Sequence, residues 1–226
     1  MPLDTVFLDA GGVLVFPNWT RISEALARHD VNVSPRALAR AEHPAKRRLD
    51  VGDTIGATTD ASRGWLYFDF VLTEAGVPLS AATRAALADL NDYHRQFNLW
   101  ELVPPTVVPA LEALRAMGLR LTVVSNANGT LRAHLERLGL ARWFDCVLDS
   151  CEIGVEKPDP RLFRLALEQS GARADRTMHV GDLYHVDVAG ARAADLRDAV
   201  LLDAAGLYPD VDCRTIRRID ELIALL

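Results

Sequence analysis

Four short runs of this sequence hold residues that could do chemistry on a phosphoryl group. Asp9 follows the apolar run Thr5 to Leu8 and precedes Gly11-Gly12. A carboxylate at a strand end, beside glycines that let a ligand approach the backbone, suits nucleophilic attack. Ser125 and Asn126 end a second apolar run and offer a hydroxyl and an adjacent backbone N–H to bound oxygens. Lys157 lies in GVEKPDPRLF, where Pro158 and Pro160 make a rigid, non-helical setting just ahead of a helix. A compact ammonium held there can bridge a carboxylate and a phosphate. Asp182 and Asp187 lie in HVGDLYHVDVAGARAAD. Oxygen ligands at a strand end suit magnesium, which keeps waters and takes one or two carboxylates. Taken singly, each of these residues also reads as turn chemistry, a helix cap or a solvated lysine. Taken in order, they are the parts phosphoryl transfer needs: a nucleophile, metal ligands and donors for the phosphoryl oxygens.

The elements that must position them alternate. Strands are expected at Thr5 to Leu8, Leu119 to Ser125, Cys146 to Leu148, Thr177 to Gly181 and Ala199 to Leu202, with helical patterns between the later ones. Such alternation predicts an α/β fold, a Rossmann-like parallel sheet with helices on both faces. Ligands of such sheets bind beyond the carboxyl ends of the strands, where Asp9, Ser125 and Asp182 all fall. His179 reads as a strand residue rather than a ligand, and His185 as lining the mouth of the site. Residues 17–100 differ, with helical patterns at Trp19 to Arg28, Pro35 to Leu49, Ser62 to Glu74 and Ala81 to Phe97 and no buried strand. A crossover needs only about a dozen residues, so this stretch predicts an inserted helical domain, with residues 1–16 and 101–226 forming the catalytic core.

Composition is that of an ordinary globular chain: 226 residues, half hydrophobic, a quarter charged, net charge −6. A mildly acidic chain has no general attraction for nucleic acid or anionic membranes, so any anion must be met locally. The three cysteines match no zinc spacing and read as reduced thiols. With no signal-like leader and no spanning apolar run, the expected location is the cytoplasm. Only two lysines occur, Lys46 and Lys157. Oligomeric state leaves no mark in the sequence.

LDAGGVL, VVSNANG, GVEKPDPRLF and HVGDLYHVDVAGARAAD together resemble the four motifs of the haloacid dehalogenase superfamily. The likeness covers Pro2 to Phe16 and about Val103 to Asp203. Residues 17–100 match in position the helical cap that one branch inserts after the first motif. The resemblance implies an aspartyl-enzyme intermediate on Asp9. It implies Mg2+ held by the Asp9 carboxylate, the Gly11 backbone carbonyl and Asp182, with Asp187 in support. Ser125 and Lys157 would bind the phosphoryl group, with Asn126 beside them, and Lys157 would also orient Asp9. The cap would choose a small phosphorylated substrate.

One departure matters. Phosphatases of this superfamily carry a second aspartate two residues after the nucleophile, which protonates the leaving group; here that position is Gly11. The first reading is therefore a phosphatase for an unusual or activated phosphate, or one that takes its acid from elsewhere. A second is a phosphonatase-like enzyme using a cap lysine as a Schiff base, for which Lys46 is the sole residue available, against a solvated helix face as the plain alternative. A carbon–halogen hydrolase ranks last, because that branch needs no metal. A non-catalytic phospholigand-binding protein is the remaining alternative. If the missing acid limits the enzyme, Gly11→Asp raises hydrolysis of an alkyl phosphate by roughly 10²–10⁴-fold, the usual worth of general acid catalysis. Steady-state rates that do not rise would show that position 11 is not limiting.

Overall fold

The computed structural model of the protein describes residues 2–226. Six strands form one sheet: β1 (Thr5–Leu8), β2 (Arg120–Ser125), β3 (Cys146–Asp149), β4 (Thr177–Gly181), β5 (Asp198–Leu202) and β6 (Arg214–Ile216). Their order is β3-β2-β1-β4-β5-β6, and every pair is parallel. The chain winds outward from β1 through β2 and β3, then returns to β4 on the other side. The junction of β1 and β4 is thus the switch point at which open α/β sheets bind ligands.

The central strands are sealed on both faces, as a parallel sheet requires. Phe7, Val124, Leu148 and Leu201 share a core with Leu162, Phe163 and Ala166 of α9 (Pro160–Ser170) and Ala191 of α10 (Ala189–Ala193). Val6, Leu8, Val123, Val180 and Val200 point the other way and are fully buried too.

Among the differences from the sequence reading, one boundary and one unread strand have local reasons. β2 begins at Arg120 because Leu119 donates back to Leu114 O as part of the preceding helix end, with Gly118 left-handed at φ 82°. β6 went unread because two of its three residues, Arg214 and Thr215, are exposed and present no apolar run.

By contact the chain divides into two compact units, one holding the sheet with Leu102–Leu226, the other Pro17–Glu101. The second unit is all helix: α1 (Trp19–Ala27), α2 (Pro35–Leu49), α3 (Gly52–Ala57), α4 (Asp60–Glu74) and α5 (Ala81–Phe97). Side-chain caps start most of them. Ser34 caps α2, and capping boxes Thr59/Ser62 and Ser80/Thr83 open α4 and α5. Trp19, Tyr67 and Phe68 lie inside this unit's own core. Lys46 does not sit on a solvated face. Its Nζ is 2.9 Å from Glu42, a buried carboxylate that also accepts from the Trp19 indole. The remaining helices belong to the sheet unit: α6 (Val107–Ala116), α7 (Leu131–Arg137) and α8 (Ser150–Ile153). All three cysteines are free. No helix among the described residues is long and apolar enough to cross a membrane.

Gly190, in α10, is fixed by close approach. A Cβ there would lie 2.8 Å from Phe163 Cε2 and 3.0 Å from the Pro158 backbone, which cannot yield as a side-chain tip can. Overpacking of this kind costs about 1–3 kcal/mol, so Gly190→Ala lowers the urea midpoint accordingly. An unchanged midpoint would contradict the packing.

Candidate active site

The carboxyl ends of β1, β2 and β4 bring four of the chemically competent runs together. Asp9 follows β1, its N–H extending the ladder to Val180 O at 2.9 Å. The turn after it is tight: Ala10 O accepts from Val13, Leu14 and Val15, and Gly12 takes φ 76°. Gly11 lies in this turn, partly exposed.

Lys157 is the centre. It is fully buried, and its Nζ lies 3.0 Å from Asp9 Oδ2 and 2.7 Å from Asp187 Oδ1. Burial alone would lower its pKa. The carboxylates of Asp187 and Asp9 outweigh burial and hold the ammonium well above the usual lysine range. Lys157 therefore keeps its proton and serves as a fixed charge.

Asn126 sets the backbone of that lysine. Its Oδ1 accepts from Lys157 N at 2.7 Å, and its Nδ2 donates to Lys157 O at 3.0 Å. The amide side chain is thus engaged on Lys157, so a ligand would meet the Ser125 hydroxyl, which here donates to Asn126 O at 3.3 Å, and the Asn126 backbone N–H. The loop beyond β2 is tied to β3: Asp149 accepts from Gly129, Leu131 and Cys151, and Ser150 Oγ from Ala127. Sequence reasoning missed Asp149; its place at the end of the weak third strand was the available signal.

Asp187 sits in a π-helical turn, Tyr184–Val188, an irregularity often found at functional sites. Its carboxylate takes four hydrogen bonds. Oδ1 accepts from Lys157 and from His179 Nε2 at 2.9 Å, and Oδ2 from the backbones of Asp182 and Leu183. Burial would raise its pKa, but Lys157 and then His179 keep it far below the usual carboxylate range. Gly181 makes the room: a Cβ there would stand 2.0 Å from Asp187 Cγ.

Asp9, Asp182 and Asp187 are all buried, and each offers an oxygen within 4.8 Å of the others. Three carboxylates against one ammonium leave a net charge of −2 when all are ionised. That donor set fits a hard divalent cation. Because Asp187 already accepts four bonds, little of its capacity is left for direct ligation.

A parallel sheet with a switch-point cluster of this kind defines an α/β enzyme-like site at the strand ends. Comparison with known proteins goes further. Residues 3–195 match the haloacid dehalogenase-like hydrolase family, and the chain belongs to it. Haloacid dehalogenase-like hydrolase domain-containing protein 3 of Mus musculus is 38% identical over 60% of this chain and 54% of its own length. Phosphoserine phosphatase of Thermus thermophilus is 40% identical over 63% of this chain and 55% of its own. The chain thus spans little more than half the length of these relatives. Among solved structures, the HAD-hydrolase YfnB from Bacillus subtilis bound to magnesium aligns over 100% of this chain and 99% of its own, with a TM-score of 0.72 at 18% identity, a likeness of fold.

The electrostatics give a stability prediction. Burial raises the Asp9 pKa from 3.8 to about 7, Lys157 opposing and Asp187 and Asp182 adding to the rise. Between those two pH values the folded form binds a proton that the unfolded form has lost, so this group's contribution to stability falls as pH rises and is flat above 7. Without metal, Asp9→Asn therefore melts higher than wild type above pH 7, by a few degrees (about 2–4 °C per kcal/mol at this size), and the gap closes toward pH 4. A gap independent of pH would contradict this origin.

Proposed function

We propose that the protein is a magnesium-dependent phosphatase of small phosphorylated metabolites, working through an aspartyl-phosphate on Asp9. The observation that carries the reading is the Lys157 ammonium, fully buried between Asp9 and Asp187 at the switch point of the sheet. A charge so placed has no purpose for folding that an apolar residue would not serve as well. It does keep Asp9 in one place and present a positive charge beside it.

In this reading Asp9 Oδ attacks phosphorus in line with the leaving oxygen, whose bond to phosphorus breaks. Lys157 and Ser125 hold the phosphoryl oxygens, and the Asn126 amide keeps Lys157 in register. Water then cleaves the phosphoryl group from Asp9. Magnesium would be held by Asp9, Asp182 and the Gly11 carbonyl, with Asp187 in the outer shell. Bound there, it would keep Asp9 ionised and offset phosphoryl charge. With no side chain at position 11, the leaving oxygen takes its proton from solvent or departs as an anion. The helical unit, Pro17–Glu101, would be the cap that chooses the substrate.

The phosphatase relative supports the substrate class. The triple carboxylate cluster favours a metal-using reaction over carbon–halogen hydrolysis. Lys46 disfavours the phosphonatase-like reading, because its amine is engaged at 2.9 Å by the buried Glu42 carboxylate.

Release of phosphate from p-nitrophenyl phosphate tests the proposal, since that leaving group is stable as an anion. Turnover with magnesium, its loss in EDTA and its loss in Asp9→Asn are expected. Turnover that survives EDTA, or survives Asp9→Asn, would refute the mechanism.

A further inference from the structure

His179 stands in the middle of β4, where every residue of the strand is buried. β4 lies between β1 and β5, a position that favours apolar side chains. An imidazole there gives up its water and needs hydrogen bonds in return. It obtains one. Nε2 lies 2.9 Å from Asp187 Oδ1, and the Phe7 backbone on the neighbouring strand also bears on the ring.

What it provides is legible in the neighbours. His179 and Gly181 are two apart in one strand and so share a face. Gly181 leaves the space that the Asp187 carboxylate fills, and His179 supplies a donor at its edge. Phe163 packs against the imidazole at 4.9 Å between centroids and 76° between planes, which fixes the ring's tilt. The backbone N–H groups of Asp182 and Leu183 hold Oδ2, whereas Oδ1 is held by His179 and Lys157. His179 is thus the sheet's only grip on the oxygen that meets Lys157, among the contacts of the described residues.

We infer that His179 is a positioning residue: by donating from Nε2 to Asp187 it fixes where Lys157 meets Asp9. Its kinetic consequence rests on the phosphatase reading; its contact with Asp187 does not.

Two measurements test it together. The first compares kcat and KM for p-nitrophenyl phosphate, with magnesium, in wild type, His179→Phe and His179→Gln. Phenylalanine keeps an apolar ring in the strand and removes the donor; glutamine returns an amide N–H close to the place of Nε2. His179→Phe is expected to lower kcat about 10–100-fold, the usual effect of removing a partner behind a site ligand. KM should change little, the melting temperature should not fall, and His179→Gln should recover most of kcat. A merely structural histidine predicts the reverse, full kcat in the apolar variant. The second measurement is the ring tautomer of His179 in the metal-free wild type, from long-range proton–nitrogen correlation spectra. A protonated Nε2 is expected. Full kcat in His179→Phe, no recovery in His179→Gln, or an Nε2 without a proton would each overturn the inference. An inactive wild type would count against the phosphatase reading alone, and the tautomer would then decide the role of His179.

Discussion

The structure of the strand-end site depends on one buried cation. Lys157 has no exposed surface and two carboxylate partners within 3.0 Å. Removing Lys157 would leave two buried carboxylates without their common cation, typically at about 3–5 kcal/mol. Several features of the sheet unit follow from avoiding that outcome. Asn126 pins the Lys157 backbone, Gly190 lets α10 approach Pro158 beside it, and Gly181 opens the space for Asp187. Three runs distant in sequence are thereby coupled through one ammonium group.

The same arrangement sets a division of labour among carboxylates of one chemical type. Asp187 accepts four hydrogen bonds, stays ionised and acts as a strut. Asp9 accepts fewer, lies under the field of Asp187 and Asp182, and has its pKa raised to about 7 in the metal-free state. In the proposed mechanism, a cation joining Asp9 would complete its ionisation. Environment, not residue type, separates the carboxylate proposed to react from the one that supports it.

Much of this was legible in the sequence because parallel strands are apolar runs that end abruptly. Asp9, Ser125 and Asp182 each close such a run, so their convergence followed from the sheet's topology. The fold class followed for the same reason. What stayed hidden was reciprocal contact. Nothing in SNANG says that the Asn126 amide is spent on Lys157. Nothing in TMHVG says that His179 donates to Asp187, because a histidine in a strand reads as one more core residue. Lys46 was legible as a rare lysine, but its pairing with Glu42 depends on an i, i+4 contact turned into a buried interior. β6 was hidden because an edge strand of three residues with two exposed leaves no periodicity to find.

The central claim is that Asp9 becomes covalently phosphorylated during turnover. The direct measurement is acid quenching of enzyme mixed with p-nitrophenyl phosphate and magnesium, followed by peptide mass spectrometry of the segment around Asp9. The account predicts one phosphoryl group on Asp9, absent without magnesium and absent in Asp9→Asn. Rapid turnover with an unmodified Asp9, or with the phosphoryl group on another residue, would contradict it.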